Sequence, residues 1–304
     1  MLSTSDIVAP DKRTPGVMAI DPVIYPILDK LYDRRIRRLS ALALSQGESS
    51  EYFRFLMHLV EAQQQIIIHA PLARTDVDAI HTLLKHNTEN LQVESLAAIS
   101  GWQAAYTTLA KQLAPMLPQV VGQKLEALSA DKSGLVNTAA HLLRANYQLV
   151  DPGVAVVVWA ALSTCWAQAI ASKQDEGVTQ PTAQAVHCPC CHAPPVASLV
   201  LGGAREGIRY LQCSLCETRW HRVRAVCVDC GASGQIDHWT LDDAKSAIQI
   251  ETCGDCKSYI KTFRLDYDPE LEAVADDLGS LTLDNAMEAE GFVRIGINPF
   301  SFPA

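Results

Sequence analysis

Cysteines that could hold metal ions are the residues of this sequence best suited to chemistry. The chain has ten, and nine of them lie between Cys188 and Cys256. Eight of the nine form Cys-x-x-Cys pairs, and the segments between successive pairs are 192–212, 217–226 and 231–252. A Cys-x-x-Cys turn directs two thiolates at one point, and two such turns complete a tetrahedral site of four sulfurs. The sequence therefore predicts four pairs of metal ligands: Cys188/Cys191, Cys213/Cys216, Cys227/Cys230 and Cys253/Cys256.

The spacing of the pairs predicts which of them share an ion. The first and third of the intervening segments are each long enough for a β-hairpin between two turns. The second and fourth pairs also belong to an internal repeat, because Ile208 and Tyr210 precede one pair as Ile248 and Ile250 precede the other. In an alternative arrangement the two inner pairs share one ion and the two outer pairs the other, and the repeat argues against it. We predict two sites: Cys188, Cys191, Cys213 and Cys216 in the first, and Cys227, Cys230, Cys253 and Cys256 in the second.

Two such sites predict two metal ions per chain, iron or zinc. Both metals occur in tetrahedral sites of four sulfurs. Rubredoxin-like turns often continue with a glycine, as Gly231 does here, but His192, Glu217 and Lys257 stand at the matching positions of the other turns. Four protein sulfurs leave no open coordination position, so hydrolysis by a metal-bound water is not expected. The sites therefore either stabilise structure or pass single electrons.

The rest of the sequence predicts no catalytic site. The first half has no glycine-rich phosphate loop, no His-Glu-x-x-His pair and no Gly-x-Ser-x-Gly turn. Cys165 lies in an apolar stretch and is expected to pack as a small hydrophobic residue. Cys190, inside the first turn, is expected to be a spare thiol, with an alternate ligand or a reactive thiol as the alternatives. His187, His192 and His221 are expected beside the sites, since eight cysteines already fill both. We predict a protein that is not an enzyme.

A short basic run between the two sites is the candidate surface for a partner. It comprises Arg219, Trp220, Arg222 and Arg224. An aromatic side chain among basic donors is typical of protein interfaces and of proteins that bind single-stranded nucleic acid. Residues 188–266 carry nine basic and nine acidic side chains, and the whole chain has a net charge of −9. This balance disfavours attraction to phosphates. Packing of Trp220 within a strand, with the arginines in solvent, is the simpler interpretation of this run. If the run binds a partner, we expect a protein and no nucleic acid, and we keep a zinc-ribbon nucleic-acid-binding protein as the alternative.

The residues that precede the cysteine-rich region are predicted to form helices. Apolar residues recur there at three- and four-residue intervals, which predicts an α-helical domain over residues 1–175. A polar stretch without apolar periodicity then predicts a linker at 176–187. Cysteine turns and short β-rich runs place the first metal module at 188–226 and the second at 227–267.

The last segment, residues 268–304, is acidic and weakly helical in pattern. It carries eight acidic residues against a single basic one, Arg294. We expect these acidic side chains to form a solvated face, while Leu271, Leu281 and Leu283 pack back onto the rest of the protein.

The compartment expected for this chain is the cytoplasm. The N-terminal segment, from Met1 to Pro15, lacks the apolar stretch of a secretory signal, and metal binding by cysteines suits a reducing compartment. Residues 152–172 carry no charge and approach the length of a bilayer span. They include the polar Gln168, and their flanks show no excess of Lys or Arg on one side. We expect a helix buried at the centre of a bundle and no membrane insertion.

The cysteine-rich half resembles a known family. The motifs that carry the likeness are CPCC, CSLCETRWH, CVDCG and ETCGDCKSYIKTF, followed by an acidic helix and GINPF near the end. They are similar to those of the formate dehydrogenase accessory protein family, FdhE. The likeness is strong from Cys188 to Phe300 and covers the helical half in architecture and length.

The resemblance implies an accessory protein required for the activity of formate dehydrogenase. Such a protein binds the immature catalytic subunit of a respiratory, molybdenum-containing enzyme in the cytoplasm, before twin-arginine export. The resemblance also implies rubredoxin-like metal centres held by the eight paired cysteines. A rubredoxin-like electron-transfer protein is a further alternative, and self-association is left open. The expected fold is multidomain α+β, with an N-terminal α-helical bundle, tandem rubredoxin-like or zinc-ribbon four-cysteine modules and a short helical C-terminal tail.

Overall fold

The structure is a computed structural model that describes residues 20–45, 47–85, 92–173, 185–203, 207–240 and 246–303. The N-terminal segment before Ile20 and most of the predicted linker lie outside the described residues. Within them, a group of helices comes first, a sheet follows, and two short helices lie near the C-terminus.

Eight α-helices make up the N-terminal half of the described chain. Their apolar residues at helical spacing point into a common core, in which Leu39, Leu56 and Leu59 are fully buried. The helices are α1 (Leu28–Ser45), α2 (Ser50–His69), α3 (Arg74–Leu83), α4 (Val93–Ala98), α5 (Ser100–Leu113), α6 (Gln119–Ala130), α7 (Lys132–Leu143) and α8 (Pro152–Ala171).

The long apolar segment forms α8, the central helix of this half. Asp151 caps it by accepting hydrogen bonds from the backbone N–H groups of Gly153 (3.1 Å) and Val154 (3.3 Å). Among the described residues it is the one helix long and apolar enough to cross a membrane, and 89% of that stretch is buried inside the protein. α8 contacts α2, α3, α5, α6 and α7, which is the position of a core helix.

All eight strands of the described chain belong to one mixed sheet. The strands are β1 (Val23–Ile24), β2 (Pro195–Val200), β3 (Arg209–Cys213), β4 (Arg219–His221), β5 (Ile236–Trp239), β6 (Ile248–Cys253), β7 (Ser258–Arg264) and β8 (Val293–Arg294). Their order is β1-β4-β3-β2-β7-β6-β5, and β8 pairs with the start of β7.

The sheet consists of two copies of one three-stranded unit. In each copy a cysteine turn leads into a strand, a second strand ends at the next cysteine turn, and a third strand follows. The middle strands are β3 and β6, which contain the internal repeat of the sequence, and both pair antiparallel with the strand before them and the strand after them. The copies join where β2 runs parallel to β7, with Ser198 opposite Thr262. Both cysteine modules therefore share one sheet.

The C-terminal segment folds into α9 (Ala273–Leu278) and α10 (Leu281–Ala289). Leu271 and Leu283 are buried, as expected, whereas Leu281 is 45% exposed.

The prediction of a solvated acidic face is wrong for half of the acidic residues in this segment. Glu272, Asp276, Asp277 and Asp284 are buried, each with 7% or less of its surface exposed. Each lies within ion-pair distance of an arginine or lysine elsewhere in the chain. Arg35, Arg38 and Lys261 lie outside the segment, so the charge counted within it could not reveal them as partners.

The predicted fold class is confirmed. N-terminal helices, two four-cysteine groups within a sheet and C-terminal helices follow one another in the expected order.

Candidate metal centres

The first candidate centre brings four cysteine thiols together in the protein interior. Cys188 and Cys191 come from the turn before β2, and Cys213 and Cys216 from the turn after β3. All four Sγ atoms lie within 4.8 Å of one another. Cys191 and Cys213 Sγ are 3.3 Å apart, and Cys188 and Cys216 Sγ are 3.6 Å apart. Each of these residues has at most 1% of its surface exposed.

The second candidate centre has the same construction but lies at the surface. Its four thiols also lie within 4.8 Å of one another, and two pairs, Cys227 with Cys256 and Cys230 with Cys253, are 3.7 Å apart. Cys227 and Cys253 are buried, Cys256 is half-buried and Cys230 is exposed. The Ser258 hydroxyl lies 2.9 Å from the sulfur of Cys256.

The backbone conformation of all four cysteine turns is the same at one decisive position. The residue after the second cysteine has a positive φ in every turn: 62° at His192, 64° at Glu217, 78° at Gly231 and 59° at Lys257. Glycine adopts this left-handed conformation without strain, which explains its place at Gly231. The other three residues adopt it too, so the missing glycines do not mark a different kind of turn.

Backbone N–H groups support the sulfurs of the first centre. Cys213 Sγ accepts hydrogen bonds from the N–H groups of Leu215 and Cys216, both 3.3 Å away, and Cys188 Sγ accepts one from Cys190 at 3.4 Å. Such hydrogen bonds stabilise thiolates, the form in which cysteine binds metals.

The two groups fit a tetrahedral metal ion. Zinc–sulfur bonds of about 2.3 Å in a tetrahedron place the sulfurs roughly 3.8 Å apart. Four of the sulfur–sulfur distances are 3.3–3.7 Å. Each group could therefore hold one metal ion, and this donor set suits zinc and iron alike. The structure brings together the same two sets of four cysteines that the repeat in the sequence predicts.

Comparison with known proteins gives matches along nearly the whole chain. Three family models match in order: "FdhE, N-terminal" at residues 20–183, "FdhE, central domain" at 187–224 and "FdhE, C-terminal domain" at 225–301. Protein FdhE of Escherichia coli K12 is 37% identical over 294 residues, which covers 96% of this chain and 94% of that protein. The chain belongs to the FdhE family.

Other FdhE proteins agree with this assignment in sequence and in structure. An FdhE homologue of Proteus mirabilis is 37% identical over 291 residues, covering 95% of this chain and 94% of the relative. The crystal structure of the FdhE protein from Pseudomonas aeruginosa superposes with a TM-score of 0.81 at 28% identity, covering 93% of this chain and 100% of that one. The FdhE fold thus extends over both the helices and the sheet.

The first centre of this FdhE-family chain is attached directly to its helical core. Trp159 of α8 donates a hydrogen bond from Nε1 to the carbonyl of Ser214, inside the cysteine turn, at 2.9 Å. Both Trp159 and the turn residue Leu215 are 1% exposed. The helices therefore enclose the side of this centre that faces them.

A buried ion-pair cluster ties the same turn to both ends of the chain. Arg35 of α1 contacts Glu217, directly after the turn, at 2.8 Å and Glu272 of the C-terminal segment at 2.9 Å. Burial favours the neutral form of Arg35, but the two carboxylates outweigh it and raise its pKa. Burial likewise opposes ionisation of Glu272, and the Arg35 guanidinium nevertheless lowers the pKa of Glu272. The sequence gives one indication that Arg35 is buried. Its position in the helical repeat places it on the same face as Tyr32, Leu39 and Leu42, which are buried.

The GINPF motif, residues 296–300, packs against the first module and the C-terminal helices. At Gly296, where φ is +89°, a Cβ atom would lie 1.8 Å from the carbonyl oxygen of Pro195, so only glycine fits. The Asn298 amide donates to the carbonyl of Val274 at 2.9 Å and to Asp277 at 2.7 Å. This motif is therefore explained by close packing.

The four basic-run residues, predicted to bind a partner, differ in their exposure. Trp220 is 1% exposed and donates from Nε1 to the carbonyl of Ala185 at 3.0 Å. Arg222 is 2% exposed and donates to the carbonyls of Cys227 (2.8 Å) and Val228 (3.1 Å). Arg219 is half-buried and Arg224 is exposed. Trp220 and Arg222 thus serve internal packing, and Arg224 is the most accessible of the four.

The remaining cysteines lie outside both groups of four. Cys165 is buried in α8, and burial raises its pKa to about 12, which makes it an unreactive thiol. Cys190 is half-buried beside the first centre. His187, His192 and His221 belong to neither group of metal-ligand atoms found among the described residues.

Proposed function

We propose that this protein is a non-catalytic accessory protein for formate dehydrogenase. In this proposal it binds the immature catalytic subunit in the cytoplasm and is needed for that subunit to become active. The observation that carries the proposal is the ordered match of all three FdhE family models over residues 20–301, with both four-cysteine groups in place.

The arrangement of the centres supports a scaffold rather than an enzyme. All eight ligand positions are protein sulfurs, so a bound ion has no open position for substrate or water. The first centre is enclosed by the helical core and the sheet. Its bound metal would join the helices, the sheet and the C-terminal segment into one rigid body able to present a surface to a client.

The accessible part of the basic run is the first place to seek client contact. Arg224 is exposed next to Val223, whose surface is 48% exposed, so a basic donor stands beside an apolar side chain. Arginine is enriched at protein interfaces because its planar head both packs and donates several hydrogen bonds. A client contact through Trp220 or Arg222 would first require their release from the interior.

Co-purification tests this proposal. The tagged protein, carrying both metals, is isolated from cytoplasmic extract under conditions in which the catalytic subunit of formate dehydrogenase is made. We expect that subunit to be retained, and Arg224→Ala to lower the retained amount at least threefold. Arg37→Ala, a change at another exposed arginine, serves as the matched control and should retain the parent amount. Failure of the parent protein to retain the subunit would overturn the proposal.

Electron transfer is the second candidate, and the exposed second centre favours it. Cys230 and Cys256 reach the surface, which would bring a redox partner close to an iron ion held there. Visible absorption and a redox titration of protein purified without added metal test this candidate. A reversible one-electron signal assigned to the second centre would support it, and a chain that contains only zinc would rule it out.

A further inference from the structure

A large cavity lies between the helical half and the first metal centre. Its volume is about 720 Å³, within the range of small-molecule sites. Its wall includes the end of α7, Trp159 of α8 and the turn residues Cys191 and Leu215. The accessory role described above does not use this cavity, although Cys191 and Trp159 in its wall belong to the first centre and its support.

Four of the residues that line this cavity carry cationic or N–H donor side chains. Lys85, Arg144 and His187 are exposed and His192 is half-buried, and all four line the cavity. None of the described residues that line it is Asp or Glu. In a chain with a net charge of −9, two cationic side chains, Lys85 and Arg144, and two histidine donors therefore stand around one concavity.

The interior of the cavity is apolar and aromatic instead. Leu143, Tyr147 and Pro194 are half-buried and give the cavity its accessible apolar surface, while Trp159 and Leu215 in its wall are each 1% exposed. The rings of Tyr147 and Trp159 approach edge to face, with centroids 6.2 Å apart. The cavity therefore offers a flat apolar ring a floor on which to pack and offers an anionic group a basic rim.

We propose that this cavity binds a phosphate-bearing small molecule with an aromatic ring, of the nucleotide class. The ring packs against Tyr147 and Pro194, and the phosphates lie at the rim, where Lys85 and Arg144 donate to them. Arginine and lysine are the side chains best suited to phosphate oxygens. An acidic peptide would match the rim but would leave the apolar floor without a partner.

Titration calorimetry on the full metal-loaded chain tests this inference, with ATP, adenosine, pyrophosphate and tetraglutamate as probes. We expect ATP to bind most tightly, with adenosine and pyrophosphate each at least tenfold weaker and tetraglutamate unable to compete. Lys85→Gln combined with Arg144→Gln should weaken ATP binding at least tenfold. Both side chains are exposed, so these changes should leave the fold intact.

Lys132→Gln is the matched control, because it removes an exposed lysine from the opposite end of α7. It should bind ATP as the parent does. No ATP binding by the parent, or equal affinity in the double variant, would overturn the inference. Tetraglutamate binding as tightly as ATP would replace it with recognition of an acidic peptide. Co-purification of the client is measured separately, so either proposal can fail alone.

Discussion

Single residues distinguish the two metal centres, which share one construction but differ in access to water. The four cysteines of the first centre are at most 1% exposed, whereas Cys230 of the second is exposed and Cys256 half-buried. Ligand exchange at a metal requires an incoming group to reach it. The first centre is therefore suited to holding the fold together, and the second is accessible to outside molecules.

Metal release should occur in two distinct phases. With a chromophoric chelator in excess, we expect one ion to leave the chain at least tenfold faster than the other, because Cys230 opens the second centre to the chelator. Cys213→Ser, which disables the first centre, should retain only the fast phase. Two ions released at the same rate would show that burial does not control exchange here.

Cys190→Ser should leave the metal content unchanged. Cys190 lies outside the group of four ligand thiols, and its N–H group, which donates to Cys188 Sγ, is kept by a serine. Elemental analysis should give the same two ions per chain as in the parent protein. A loss of one ion would make Cys190 a ligand, and loss of client maturation with both ions bound would make it a reactive thiol.

Elements far apart in sequence are joined by buried ion pairs. α1 is joined to the turn after β3 and to the C-terminal segment through Arg35, and β7 is joined to the C-terminal helices through Lys261. Replacing Arg35 by Ala would leave two buried carboxylates without their partner, which costs about 3–5 kcal/mol. Denaturant unfolding should show that loss for Arg35→Ala. Arg37→Ala, one position beyond Ile36 on the exposed face, should differ from the parent by about 0.5 kcal/mol or less.

Acid should loosen the C-terminal helices before the rest of the molecule. Burial opposes the ionisation of Asp277, but Arg294 and Lys261 outweigh it and lower its pKa from 3.8. Because the folded-state pKa lies below the unfolded one, Asp277 contributes stability above about pH 4 that is lost as the pH falls through the folded value. Thermal unfolding midpoints measured between pH 7 and 3 should therefore fall towards the acid end.

Asp277→Asn should reduce that slope, and it should also lower stability at pH 7 by about 3 kcal/mol, because Lys261 and Arg294 lose a buried partner. Glu288→Gln removes an exposed carboxylate of α10 and should keep the parent pH dependence. A pH dependence equally steep in Asp277→Asn would assign the acid sensitivity to other groups.

For the molecule as a whole, local pattern in the sequence predicted the elements and the grouping of the cysteines. Cys-x-x-Cys spacing and the internal repeat identify four turns and two sets of ligands, since both can be recognised without knowing any tertiary contact. The three- and four-residue apolar intervals likewise predict the helices, including α8 as a buried one.

Contacts between distant segments could not be predicted in this way. Nothing local to Val23 indicates that it pairs with Trp220, or that β2 runs parallel to β7 and merges the two modules into one sheet. The same limit explains the incorrect acidic face, because Lys261 and Arg294 become partners of Asp277 only through tertiary packing. The burial of Trp220 within β4, by contrast, agrees with the simpler interpretation of the basic run as strand packing.

The whole molecule should act as an accessory protein, and deletion of its gene tests that claim most directly. Cells that lack the protein should make the catalytic subunit of formate dehydrogenase at a normal level but show no formate dehydrogenase activity, and a plasmid copy of the parent gene should restore the activity. Formate dehydrogenase activity that remains at the parent level in the deletion strain would contradict the account.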